Sequence, residues 1–202
     1  MTDAHGGPFT RTDLEAVTSA AVAAWRQGRD RDWSARAGTL EWSCTRTADH
    51  CVDAVLAVAL FLASGRRDSY PEWGWGEQLM GPAATPDRLA EALGAVGMVL
   101  SGAVAVADPG TRSVIWLRPV PGTGTPPDFA ARGALEMAFH VHDVCAGLGV
   151  PFAPPPEVAA RLREHTRGWP HWSSPGWSAA ATTDDPWSDL LLAANRHPLP
   201  PP

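Results

Sequence analysis

The segment from Val52 to Leu62 constrains this chain most. Val52, Val55, Leu56, Val58, Ala59, Leu60, Phe61 and Leu62 place apolar side chains nearly all round a helix. Such a helix has no face to give to water and must be enclosed by others. It is expected to start near Thr45 or Thr47 and to run to Ala63, with Ser64 and Gly65 as the stop. His50 and Asp53 sit on its first turns, and polar groups at the mouth of a buried helix need partners.

Helices that could enclose it follow the same rules. Thr10 with Asp13 reads as a capping box ahead of the stripe Leu14, Val17, Ala21 and Trp25, ended by Gly28. Thr85-Pro86 opens a third helix through Leu89, Leu93, Val96 and Leu100 to Asp108. Asp128 is expected to cap a fourth, running to about Ala146 and ended by Gly147 and Gly149. Shorter helices are expected from Pro155-Pro156 to Thr166 and from Trp187 to Arg196, and a short extended piece over Ser113–Leu117. The fold class is thus all-α: four long helices in a bundle, with additional short helices and long Trp/Pro-rich loops. Residues 1–9 are expected to be disordered, 10–196 to form one domain, and 197–202 to be a Pro-rich tail.

Composition narrows the partners. The net charge is −6, all 16 cationic residues are Arg and no basic run occurs, so nucleic acid is excluded as an expected partner. The run Val52–Ala63, broken by Asp53, is short for a bilayer and no apolar leader is seen, so a cytoplasmic protein with no membrane partner is expected. Cys44, Cys51 and Cys145 lack zinc-ribbon spacing and read as buried small hydrophobes. The ten Trp residues either cap the core under long loops or wall an apolar pocket.

The fourth helix carries the chemistry. At 100° per residue, Glu136 and His140 lie about 40° apart and Asp143 about 20° from Glu136. Gly133 and Gly147 flank this stripe, leaving room beside it. Glu-x-x-x-His can hold one metal ion from one helix, and His50 could supply a third ligand from the second helix. Three protein ligands leave a position open for water or substrate. The set His50, Glu136 and His140 suits Zn²⁺ and also Ni²⁺, Fe²⁺ or Mn²⁺. Asp53 and Asp143 would orient a ligand imidazole or the substrate. His142 points about 200° from His140 and cannot share the ion. The bland reading is a surface Glu136–His140 pair with His50 as an ordinary first-turn residue, and spacing leaves both readings open.

Two segments resemble a known family. Trp42-Ser43-Cys44-Thr45-Arg46-Thr47-Ala48-Asp49-His50-Cys51-Val52-Asp53 and Gly133-Ala134-Leu135-Glu136-Met137-Ala138-Phe139-His140-Val141-His142-Asp143 resemble helices two and four of the mycothiol-dependent maleylpyruvate isomerase N-terminal family, within the DinB/YfiT-like superfamily. Pro186-Trp187-Ser188-Asp189-Leu190-Leu191 resembles the closing segment of a short-chain subgroup. Where that family usually has Cys-Pro-Gly-Trp, this chain has Cys44-Thr45-Arg46-Thr47. The resemblance implies a four-helix bundle with a divalent metal, often zinc, held here by His50, Glu136 and His140. It also implies a low-molecular-weight thiol such as mycothiol, activated by the metal. The function expected is a metal-dependent thiol S-transferase or isomerase acting on a small electrophilic metabolite, with Asp53 or Asp143 orienting the thiol, in a monomer or homodimer. The alternatives are a thiol-independent lyase, cyclase or hydrolase in the same pocket, and a small-molecule-binding self-resistance protein without turnover.

Overall fold

A computed structural model describes residues 7–71, 79–118, 120–173 and 183–198. Its helices are α1 (Arg11–Gln27), α2 (Cys44–Ser64), α3 (Pro86–Val106), α4 (Pro126–Leu148), α5 (Pro156–Thr166) and α6 (Pro186–Ala193). Trp73, Trp75 and Trp177, and the outermost parts of both termini, lie outside the described residues.

Local chemistry sets most boundaries. The Thr10 side chain accepts from the Asp13 N–H, and Asp13 accepts from the Thr10 N–H, closing the capping box at α1. Ser43 caps α2, so this helix starts slightly earlier than the Thr45 or Thr47 expected; Gly65 ends it in the left-handed region. α4 corrects the sequence reading at both ends. Thr125, not Asp128, is its N-cap, and Asp128 sits one turn inside and accepts from the Thr125 N–H. Gly147 lies within the helix and Gly149, at φ 65°, ends it. α6 stops at Ala193, three residues before the expected Arg196, where Asn195 turns left-handed. Ser113–Trp116 pairs antiparallel with Gly122–Gly124, giving the expected extended piece a partner.

The long helices surround one apolar interior. α2 packs against α3 and α4, and α1 packs against the same two, so α1 and α2 lie across the interior from each other. The interior holds Leu14, Val17 and Trp25 of α1, Val52, Val55 and Val58 of α2, Leu93 and Leu100 of α3, and Met137, Val141 and Val144 of α4. α2 and α3 are both long and apolar enough by length and composition to cross a bilayer, although the Val52–Ala63 run alone is short for one. α2 spends that apolarity on core contacts, while α3 leaves Met98, Val99 and Val106 exposed.

The N-terminal arm is tied down. Phe9, expected in a disordered tail, is fully buried, and its N–H donates to His165 Nδ1 at 3.1 Å. That bond requires an unprotonated Nδ1, so His165 Nε2 carries the proton and donates to Asp128 Oδ1 at 3.0 Å. Burial opposes ionisation of Asp128, but the bonds from His165 and Thr125 outweigh it and hold the carboxyl at about 2. One acid thus joins α1's entry, the start of α4 and α5.

The glycines on the α4 stripe admit protein. A Cβ on Gly133 would stand 2.1 Å from Leu100 Cδ2 of α3. A Cβ on Gly147 would stand 2.2 Å from the Arg36 carbonyl oxygen and 2.6 Å from Cys44 Sγ. The room that the sequence assigns to a ligand is used for close helix and loop packing.

Two outcomes test these arrangements. Gly147→Ala forces a backbone shift and is expected to destabilise by about 2 kcal/mol or more, whereas Gly102→Ala, on an exposed and open part of α3, is expected to stabilise by about 0.5–1 kcal/mol; paired urea unfolding curves measure both. Asp128 is held below its unfolded value, so its contribution is present above about pH 4 and is lost as the pH falls toward 2. Asp128→Asn should therefore cost about 2 kcal/mol at pH 7 in the same assay, with the difference from wild type closing across that acid window.

Candidate functional site

The site forms where the first half of α2 meets the middle of α4. His50 and His140 stand ring to ring, centroids 5.0 Å apart and edge to face. Trp42, from the loop before α2, also packs against His50, ring centroids 5.2 Å apart and edge to face, and carries the Arg46 guanidinium over its own ring. His50 thus touches both an indole and an imidazole. Burial lowers its pKa, and His140 adds to this, with Glu136 and Asp53 acting in the opposite direction. The ring is neutral at pH 7, the form a metal or a proton needs.

His140 is held from both sides along α4. Its Nε2 lies 3.8 Å from Glu136 Oε2, and its Nδ1 lies 3.8 Å from Asp143 Oδ2. Both distances are beyond hydrogen-bond reach, and the buried Nδ1 has no hydrogen-bond partner. The expected stripe is therefore real: one imidazole between two carboxylates, with Nδ1 toward Asp143 and Nε2 toward Glu136.

Asp143 owes its position to the far end of the chain. Arg196, just after α6, donates through Nε and Nη2 to the two carboxylate oxygens at 2.9 and 2.7 Å. Burial pushes the Asp143 carboxyl up, and the facing His140 and Arg196 pull it below the ordinary range. The charge that faces His140 is thereby fixed at neutral pH. Asp53 is placed differently. It lies one turn along α2 from His50, and burial raises its pKa, opposed by His50 and reinforced by Asp49. Asp49 itself is fully buried and accepts from the Met80 and Gly81 N–H groups, a structural use.

A cavity of about 200 Å³ opens beside His140 and Glu136. Leu135, Phe139, Trp169 and Trp172 form its apolar walls, and Arg132 and Arg196 its cationic ones. Both readings of the Trp residues hold, since Trp25 and Trp33 fill the core while Trp169 and Trp172 line this cavity. Arg132 was legible as the residue one turn before Glu136 on the same stripe. Arg196 and the two Trp residues carried no local signal.

The donor chemistry fits a borderline divalent cation: two imidazoles, one kept neutral by burial, and a carboxylate. As the side chains stand, no three His, Cys, Asp or Glu among the described residues converge closely enough to hold an ion. His142 takes no part. It is buried against Trp187, and its Nε2 meets the His197 carbonyl at 3.0 Å. The cysteines are buried and free, with the thiols of Cys44 and Cys145 pushed up by burial to about 11 and about 12. Cys51, fully buried near Glu136 and Asp143, is raised well above its ordinary value.

Arg196→Met would leave Asp143 buried without its partner. The expected cost is about 3 kcal/mol at pH 7. Because the folded pKa of Asp143 is depressed, its stabilisation is present above the unfolded value near 4 and is lost as the pH falls through the folded one. The Arg196→Met penalty should shrink over that acid range in urea titrations. No family model, curated protein or solved structure matches this chain.

Proposed function

We propose that this chain is a metal-dependent thiol S-transferase with a DinB/YfiT-like four-helix bundle, related to the mycothiol-dependent maleylpyruvate isomerase N-terminal family. The observation that carries the reading is the meeting of His50 with His140, the latter set between Glu136 and Asp143. The packing of α1 and α2 each against α3 and α4 supports the bundle. His50, Glu136 and His140 would hold a divalent ion, zinc first and Ni, Fe or Mn as alternatives. When bound, such an ion lowers the pKa of a thiol and holds it as the thiolate.

The chain's own residues supply the rest. Asp143, locked by Arg196, faces His140 Nδ1 and favours a proton there, leaving Nε2 as the donor atom. Asp53 lies within electrostatic reach of His50 and would orient a thiol or its proton. The aromatic walls beside His140 would hold a small electrophile away from water. The cysteines offer no thiolate at neutral pH; on the family resemblance, a small thiol such as mycothiol would supply the nucleophilic sulfur.

The cavity lining includes Glu136 and His140 but not His50. That offset favours a second reading, in which the pocket binds or converts a small molecule without thiol or metal. Turnover that needs no added thiol would support a lyase, cyclase or hydrolase; tight binding of an unchanged ligand would support a resistance protein.

Elemental analysis of the purified protein tests the first reading. About one divalent ion per chain is expected, with His50→Ala and His140→Ala each removing it and Asp143→Asn weakening it by about 10–100-fold. Undiminished metal content in both histidine variants would remove the site as drawn.

A further inference from the structure

The cavity beside His140 is taken above as the substrate site, and on that reading the geometry points to its ligand class: a small aromatic monocarboxylate anchored by Arg132. The Arg132 side chain is only 19% exposed, yet its guanidinium is weakly engaged. Nη1 donates to the Tyr70 hydroxyl at 3.4 Å, and Nε stands 3.7 Å from Glu136 Oε1. A guanidinium has five N–H donors, and most of those of half-buried Arg132 meet no protein acceptor among the described residues. Phe61 and Tyr70, stacked on each other at 4.2 Å, lie under its charge, with Cζ 5.7 and 5.9 Å from their ring centres. Ring faces stabilise the cation without filling its in-plane donors. The group that fills them best is a carboxylate, which matches the fork with two parallel bonds.

Arg196 does not compete for that role. Its Nε and Nη2 are taken by Asp143 and its Nη1 by the Ala194 carbonyl. One under-used fork in the cavity leaves a place for one carboxylate. A second would have to lie against Glu136 or the apolar walls, where it would be repelled or desolvated. Those walls, Leu135, Phe139, Trp169 and Trp172, suit a flat apolar body. At about 200 Å³ the space falls below the ~300–1,000 Å³ of pockets for drug-sized ligands. The ligand body is therefore about one ring.

Benzoate and its neutral analogue benzamide, titrated calorimetrically into chelator-treated protein, separate this anchor from any metal. Benzoate is expected to bind roughly tenfold or more tightly than benzamide. Arg132→Gln should abolish that preference, and Arg132→Lys, which keeps the charge but not the fork, should reduce it several-fold. Equal binding of acid and amide by the wild type would overturn the proposal. So would an undiminished preference in Arg132→Lys, the variant that still reports should Arg132→Gln fail to fold. A preference that arises only when zinc is restored would overturn it too, since the carboxylate would then sit on the ion. Absent metal with intact acid preference sinks the metal reading alone; full metal content with no acid preference sinks this one alone.

Discussion

A helix enclosed on most of its circumference leaves few of its polar side chains in water, and α4 is in that position. α1, α2, α3 and α5 all pack on it, which buries His142 and Asp143 and leaves Glu136 and His140 only partly exposed beside the cavity. Their contacts come from α2, from α4 itself and from the segment after α6. Asp143 takes Arg196 from beyond α6, His142 takes the His197 carbonyl, His140 meets His50 of α2, and Glu136 faces Arg132 one turn before it. The C-terminal segment is thus fastened to α4 by the same residues that shape the site. Stability and chemistry share one set of contacts, which is why Arg196 lines the cavity while serving to hold Asp143.

Local signals explain which elements could be read from the residues. A cap and its first turn are close in sequence, so Thr10 with Asp13 and Thr85 with Pro86 marked helix starts correctly. Gly147 misled because its reason lies far away. It looks like a helix stop, but a carbonyl of the loop before α2 needs the space that a side chain would fill. The same distinction governs the site. Glu136, His140 and Asp143 share a stripe by helical geometry alone, and that stripe is present. The pairing with Arg196, 53 residues away in sequence, has no periodicity to betray it. Phe9 likewise is held from afar: its backbone N–H meets His165 of α5, whose other ring nitrogen donates to Asp128 of α4.

His140 is shared by two environments, and this makes the functional question sharper. On one side stands His50, neutral and walled by Trp42; on the other lies a cavity with aromatic walls and a cation. On the proposed reading, a metal site would draw on the first and a substrate pocket on the second. Glu136 connects them, lying 3.8 Å from His140 Nε2 and 3.7 Å from Arg132 Nε. A carboxylate committed to a cation at His140 is a weaker partner for Arg132, and a ligand carboxylate on Arg132 frees Glu136 for His140. The two occupancies would therefore assist one another through a single side chain, a positive coupling that needs no movement of the helices. Such coupling is reciprocal in binding free energy, so metal would tighten an organic acid by the same factor that the acid tightens metal. A fully buried, unshared Glu136 would offer no such link. Its position between Arg132 and His140 on one face of α4 follows from the four-residue spacing 132, 136, 140.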